Sequence, residues 1–411
     1  MSEPLINTDI VQEECEFSLV RSLEPLRRVT YWLGILPDWC RSVPKRKGIE
    51  IANALGVVLN VPLVIVSIAY LLFQFYVTIN ESASIHGAIP VLVWSFCSTI
   101  MLYNQIYFIL YRKEMMDFFV EWTYMDKTSS FLMNHELVKF ELKIIKYLNW
   151  MLFIFVSSTL LMIVVLPYIS EQRTSFIYHD QLRQIFTDPV LLIVQCYAAI
   201  NVLVIQFMGQ EIPTIIHLHA AIMMRGLNDK FKKEIDTCLD FENKQINLRG
   251  QKLLQRPLLC ILSRYGEVCR LVNRTNHLLG LPLLACHTVI LTWLVLQTYS
   301  LLKNFRNISW IEFFVIFGNL SVTTFRIIVI VFISNNFERA STTFKSTLNE
   351  ILVKHMIVLR KHEYCFVKNF LLRITANSVF VSPLNLYPIN LSLLLKFFGM
   401  FVSFILILLQ S

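Results

Sequence analysis

Six residues near the end of the chain have types and spacing that could do chemistry: Ser392, Lys396, Gly399, Ser403, Leu406 and Gln410. They follow one another at intervals of 4, 3, 4, 3 and 4, and Leu, Ile, Phe, Val or Met fills every position between them. That spacing keeps the six on one face of an α-helix. Polar groups in hydrocarbon are costly unless hydrated or paired, so this face should not meet lipid. Two arrangements satisfy it: the wall of a water-filled pore, or small residues that let helices pack closely. In a pore, Leu406 between Ser403 and Gln410 supplies a hydrophobic constriction that closes by excluding water. Lys396, nearer the start of the helix, snorkels or pairs with an acidic neighbour.

A helix so apolar implies a membrane, and the composition agrees. Of 411 residues, 55% are apolar and 16% charged, with a mean hydropathy of +0.56. A soluble chain carries about 25% charged residues. Apolar runs of about 20 residues without strand-like alternation call for helices rather than a barrel. Seven spans emerge: Ile51–Tyr76, Gly87–Tyr111, Tyr147–Ile169, Pro189–Glu211, Leu281–Leu302, Trp310–Ser334 and Leu386–Leu409. The opening MSEPLINTDIVQEE is acidic and polar, so the first span is expected to be its own insertion signal.

The net charge of +8 is informative through its distribution. The N-terminal tail and the loops after spans two, four and six hold 31 Lys and Arg; the other three loops hold 4. Basic residues stay cytoplasmic, so the N-terminus is expected inside and the C-terminus outside. Acceptor patterns for glycosylation at Asn80 and Asn307 fall in loops that this topology places outside. Six of the nine cysteines fall in cytoplasmic segments and three (Cys97, Cys196 and Cys286) within spans, so no extracellular disulfide is expected.

Organisation follows from the long cytoplasmic segments. Apolar character runs from Pro189 through span four to Met224, roughly 54 Å of helix against a hydrocarbon core of about 30 Å. The excess should project as a buried helix. Segments 226–278 and 340–372 carry amphipathic patterns, with Phe344, Leu348, Ile351 and Leu352 on one stripe. Exposed stripes must be covered, and contacts between subunits are expected there. The chain divides into a cytoplasmic N-terminal segment (1–50), helices one to six with cytoplasmic extensions (51–335), a helical anchor (336–385) and a pore-lining seventh helix (386–411).

Other polar groups within the spans were weighed in the same way. Arg326 is costly against lipid and should point inward or snorkel. Glu211, where span four leaves the bilayer, suits an interfacial hydrogen bond better than an ion site. His217 and His219 diverge on a helix and form no metal pair. Trp94, Tyr168, Gln195, Tyr197, Asn201, Trp293, Gln297, Glu312 and Asn319 lie in the outer halves of spans two to six. Aromatic walls with a few amides and one acid suit a small organic ligand, although aromatics at span ends also serve as interfacial anchors. No nucleophile–base pattern, glycine-rich phosphate loop or Cys/His cluster points to an enzyme, a cofactor or a metal.

The last stretch ends in Ser403-Phe404, five aliphatic residues and Gln410-Ser411. It resembles the insect gustatory receptor signature of Thr-Tyr, five hydrophobics and Gln-Phe, with Ser for Thr, Phe for Tyr and Ser for the final Phe. The segment SLEPLRRVTYWLGILP is similar to the family's amphipathic leading segment, closing on Gly34 to Pro37. The resemblance implies a tastant-gated, non-selective cation channel in the plasma membrane of chemosensory neurons. It implies a homo- or hetero-tetramer with related subunits, a pore lined by the last helix and a ligand pocket in the outer half of each subunit. Odorant receptors share the architecture without the Gln ending. A G-protein-coupled receptor would need the opposite charge asymmetry, and seven unpaired spans do not suit a transporter built on repeats.

Overall fold

The computed structural model describes residues 99–100, 102–129, 135–164, 209–234, 248–303, 310–354, 361–376 and 379–410, with isolated positions 62, 65 and 69. Apart from those three positions, span one lies outside the described residues, as do much of spans two and four and the N-terminal segment. Nine helices are labelled here: α1 (102–110), α2 (Arg112–Ser129), α3 (His135–Val164), α4 (209–234), α5 (Leu248–Leu278), α6 (Gly280–Lys303), α7 (Trp310–Lys354), α8 (Lys361–Ala376) and α9 (Leu391–Gln410). The protein is all-helical, and the described residues hold no strand.

Helix lengths separate membrane from anchor. The α6 helix has 24 residues and agrees with the fifth span. The 45 residues of α7 extend roughly 68 Å, more than twice the hydrocarbon core. The sixth span thus runs unbroken into the anchor, and the expected boundary at 335/336 falls inside one helix. The 30 residues of α3 likewise begin with a charged stretch before the apolar third span.

The anchor is built around α4. Ile215, Ile216, Leu218, Ala221, Met223 and Met224 are nearly inaccessible, although they point in all directions around the helix; a helix buried all round belongs at the centre. Phe118 and Trp122 of α2, Tyr265 and Val272 of α5, and Phe337, Phe344 and Leu348 of α7 complete this core. Tyr265 stacks on Phe344 with ring centroids 4.4 Å apart and donates or accepts a 2.9 Å hydrogen bond with Ser341. Outside it, Glu121 of α2 pairs with both Arg270 and Arg274 of α5. The stripe of Phe344, Leu348, Ile351 and Leu352 is covered within the subunit. It is therefore not the contact between subunits that the sequence pattern suggests; among the described residues there, Val353, Phe366 and Leu372 are exposed apolar side chains.

Two features position the last helix. The chain breaks between α5 and α6 at Leu279, where the Tyr107 hydroxyl donates to the Leu278 carbonyl at 2.8 Å. Gly280 follows, and a Cβ there would lie 2.4 Å from the backbone nitrogen of Leu384. Leu384 belongs to the linker Val379–Asn390 and holds a positive φ of 53°. Asn276 grips this linker twice: its amide donates to the Phe380 carbonyl, and its oxygen accepts from the Ser382 N–H at 3.2 Å. The linker contains Pro383 and Pro388, and helix begins only at Leu391. Asn390 caps it by accepting from the Leu393 N–H at 3.1 Å. The expected start of the seventh span at Leu386 is thus five residues early.

Candidate functional site

The α9 helix has one packed face and one open one. Ile405 is 7% exposed, and Leu394, Phe397 and Phe401 are partly covered. This face rests against α6 and α7, where His287, Ile290, Ile327, Ile330, Leu393 and Phe397 line a small apolar cavity. All six stripe residues, Ser392, Lys396, Gly399, Ser403, Leu406 and Gln410, are exposed. At 100° per residue they lie roughly opposite the packed face. Ser392 shares a cavity with Glu338, Arg339 and Thr342 of α7; from Lys396 onward the stripe stays exposed.

Local chemistry on the stripe favours oxygen outward. The Ser403 hydroxyl donates to the Gly399 carbonyl at 2.9 Å, leaving its lone pairs facing away from the helix. A Cβ on Gly399 would meet nothing within 4 Å, so the glycine is not there to permit a close contact. Leu406 is 54% exposed between the two polar positions. The flanks are apolar, with Leu395, Phe398 and Ile407 exposed.

The outer-half set is placed only in part. Trp94, Tyr168, Gln195, Tyr197, Asn201 and the acceptors Asn80 and Asn307 lie outside the described residues. Glu312 sits on α7, but its side chain is outside what is described. Trp293 is half-buried on α6, Gln297 is buried beside it, and Asn319 is buried on α7. The Gln297 Oε1 and Thr298 Oγ1 atoms are buried without a hydrogen-bond partner in the chain. Trp293 lies seven residues beyond Cys286 on α6 and Asn319 seven before Arg326 on α7, each roughly 10 Å along its helix.

At the inner end the structure revises one expectation and meets another. Arg326 points inward and is 3% exposed. Glu211 makes no interfacial hydrogen bond: it is 2% exposed, and its carboxylate lies 3.8 Å from the Arg326 guanidinium. A carboxylate at this depth turns toward a cation because hydrocarbon offers no solvation. His219 pairs with Glu141 at 3.1 Å with its ring edge-on to Trp122. His217 bonds to Asn276, and burial pushes its imidazole down to about 4. The two histidines thus have separate partners. In the anchor, burial also pushes the Cys269 thiol up to about 11. The cysteines among the described residues are free.

Pattern reading passed over Asn104, Gln210 and Asn276. Each is a single amide in an apolar stretch, and no spacing separates a structural amide from an incidental one.

The sequence model described as "7tm Chemosensory receptor" matches residues 23–411. No curated protein matches the chain. Among solved structures, the insect olfactory receptor OR5 from Machilis hrabei in complex with eugenol is similar at a TM-score of 0.67 and 13% identity, covering 95% of this chain and 99% of that one. The same receptor in a second structure is similar at 0.65 and 12%, covering 94% and 97%.

Proposed function

Because the chain belongs to the 7tm chemosensory receptor family, we propose that it is a gustatory-type receptor: one subunit of a tastant-gated, non-selective cation channel. The family consists of membrane-embedded, multi-pass receptor channels rather than enzymes. The observation that carries the reading is the open polar face of α9, which turns away from its own subunit. Four such faces around an axis make a hydrated path with hydroxyl and amide oxygens along it and a ring of Leu406 as the closure. Lys396 extends away from this path toward the headgroups or an acidic neighbour.

The ligand is a small organic molecule held in the outer half of the subunit, among Trp293, Gln297 and Asn319 together with Trp94, Tyr168, Gln195, Tyr197, Asn201 and Glu312. Two observations support this: the unpartnered Gln297 and Thr298 oxygens, and the bound eugenol of the Machilis hrabei receptor. The N-terminus is cytoplasmic and the C-terminus extracellular, as the 31-to-4 distribution of basic residues requires. Asn80 and Asn307 would then be available for glycosylation outside. The channel works in the plasma membrane of chemosensory neurons.

An odorant-type receptor of the same architecture is the second reading, favoured by the identity of both solved neighbours; the Gln410 ending favours the gustatory one. Current recordings from cells expressing this chain, across a panel of chemically diverse tastants and volatiles, distinguish them. Saturable current evoked by soluble tastants is the expected result. Response to volatiles alone would favour the odorant reading, and no ligand-evoked current from a surface-expressed tetramer would overturn both.

A further inference from the structure

The buried face of α4 carries polar side chains where an anchor core should be dry. Gln210, Thr214, His217 and Asn228 are spaced by 4, 3 and 11 residues, which brings them within about 60° of arc along roughly 27 Å of helix. None is more than 6% exposed. Both Gln210 amide atoms, His217 Nε2 and Asn228 Oδ1 are buried without a hydrogen-bond partner in the chain.

This face meets further polar groups. At the membrane end, Glu211 and Arg326 are 3.8 Å apart, too far for a direct hydrogen bond, and both Glu211 oxygens are unpartnered. The Asn104 Oδ1 atom is buried and unpartnered as well, while its amide reaches Cys286. Partway toward the anchor, His217 bonds to Asn276, Asn276 holds the Ser382 N–H, and the Ser382 Oγ atom is buried and unpartnered. Buried polar atoms are almost always satisfied, by water where protein does not reach.

We propose that this face of α4 is a binding site for a chain of internal water molecules, bridging Glu211 and Arg326 at one end and His217, Asn276 and Ser382 at the other. Charge selects water over an ion. The single carboxylate already faces a guanidinium, so a metal cation would be repelled by Arg326 and an anion by Glu211. The remaining groups are neutral and include both donors and acceptors.

The chain of water ends on Asn276, the residue that grips the linker into α9. Water-bridged contacts exchange partners more easily than close-packed carbon, so the seam is the deformable joint between the anchor and the pore helix. This last step rests on the channel reading above; the hydration does not.

The test is a density map of the purified full-length assembly, at a resolution where water is visible elsewhere in the protein, for the native chain and for Gln210→Leu and Ser382→Ala. Discrete water peaks within hydrogen-bond reach of Gln210, His217 and Ser382 are expected. Gln210→Leu should lose the peaks at its end only and stay assembled, with thermal stability unchanged or raised, because an apolar group replaces both unpartnered atoms. Ser382→Ala should lose only the peak at the linker. Side chains closing on one another without intervening density, or one continuous organic density, would overturn the water site. In current recordings, Gln210→Leu should shift the half-maximal tastant concentration by about tenfold, a typical coupling free energy. Peaks present with no evoked current in the native channel would sink the channel reading and leave the site standing. Peaks absent with normal currents would do the reverse.

Discussion

In the proposed pore, Leu406 and Gln410 have opposite jobs on the same face of α9: Leu406 closes by excluding water, and Gln410 keeps the mouth hydrated. Leu406→Ser should hydrate the constriction and produce current without ligand. Losing about 1.4 kcal/mol of closed-state advantage raises the open population roughly tenfold. Gln410→Leu should weaken or abolish ligand-evoked current at normal surface expression. Wild-type currents from both variants would mean that the stripe packs against other helices. Ile405 is the control, because it lies on the packed face. Ile405→Val should cost about 0.5–1.5 kcal/mol of stability, read as a small drop in the melting of the solubilised protein, with little change in gating. His217 makes a prediction in pH. Its folded-state value of about 4 lies below the ordinary 6.5 because burial disfavours the imidazolium. The unfolded chain takes up the proton first, so the stability contributed by His217 is full above pH 6.5 and is lost as pH falls from there toward 4. Melting in detergent across that window should fall more steeply for the native chain than for His217→Gln; parallel curves would refute the assignment.

At the scale of elements, the α5–α6 break and the linker to α9 interlock at Gly280 and Leu384. Gly280 allows the linker backbone to sit where a Cβ would stand, and Leu384 accepts a positive φ to do so. Gly280→Ala should displace the linker and destabilise the subunit by about 1–3 kcal/mol, with less protein at the cell surface and a higher tastant requirement in what remains. An unchanged melting midpoint would show that the linker yields without cost. The element boundaries had physical causes that only partly show in residue patterns. Proline and the Asn390 cap delay α9 to Leu391, and the sixth span continues as one helix because nothing between 335 and 354 breaks it.

For the whole molecule, the distribution of basic residues predicts that an N-terminal epitope tag is reached only after permeabilisation and a C-terminal tag without it. A surface-exposed N-terminal tag would sink the inverted orientation. Assembly should be tetrameric by mass photometry, with related subunits supplied where needed; a stable monomer would refute it. Because the Phe344–Leu352 stripe is buried inside the subunit, contacts between subunits in the anchor fall to exposed apolar residues such as Val353, Phe366 and Leu372. Leu372→Asp should shift the mass distribution toward smaller species, while the subunit itself keeps its helical content.

What the sequence determined alone were the properties that depend on local composition and period. Hydrocarbon demands long apolar helices, so the spans that became α6 and α7 were legible in outline. The 3.6-residue period placed Ser392 to Gln410 on one face before any neighbour was known. The ending on Gln410, with the leading segment, was enough to suggest the family that the match over residues 23–411 then established. Tertiary structure decided whatever depends on residues far apart in the chain. Only packing could tell that the α9 stripe faces away from its subunit while the Phe344 stripe faces inward, since both read as amphipathic faces. Only packing could bring Glu211 to Arg326 across 115 residues, or set Asn276 against the linker more than 100 residues later. An isolated polar residue in an apolar run gives no sign of its partner, because the partner is chosen by how helices meet.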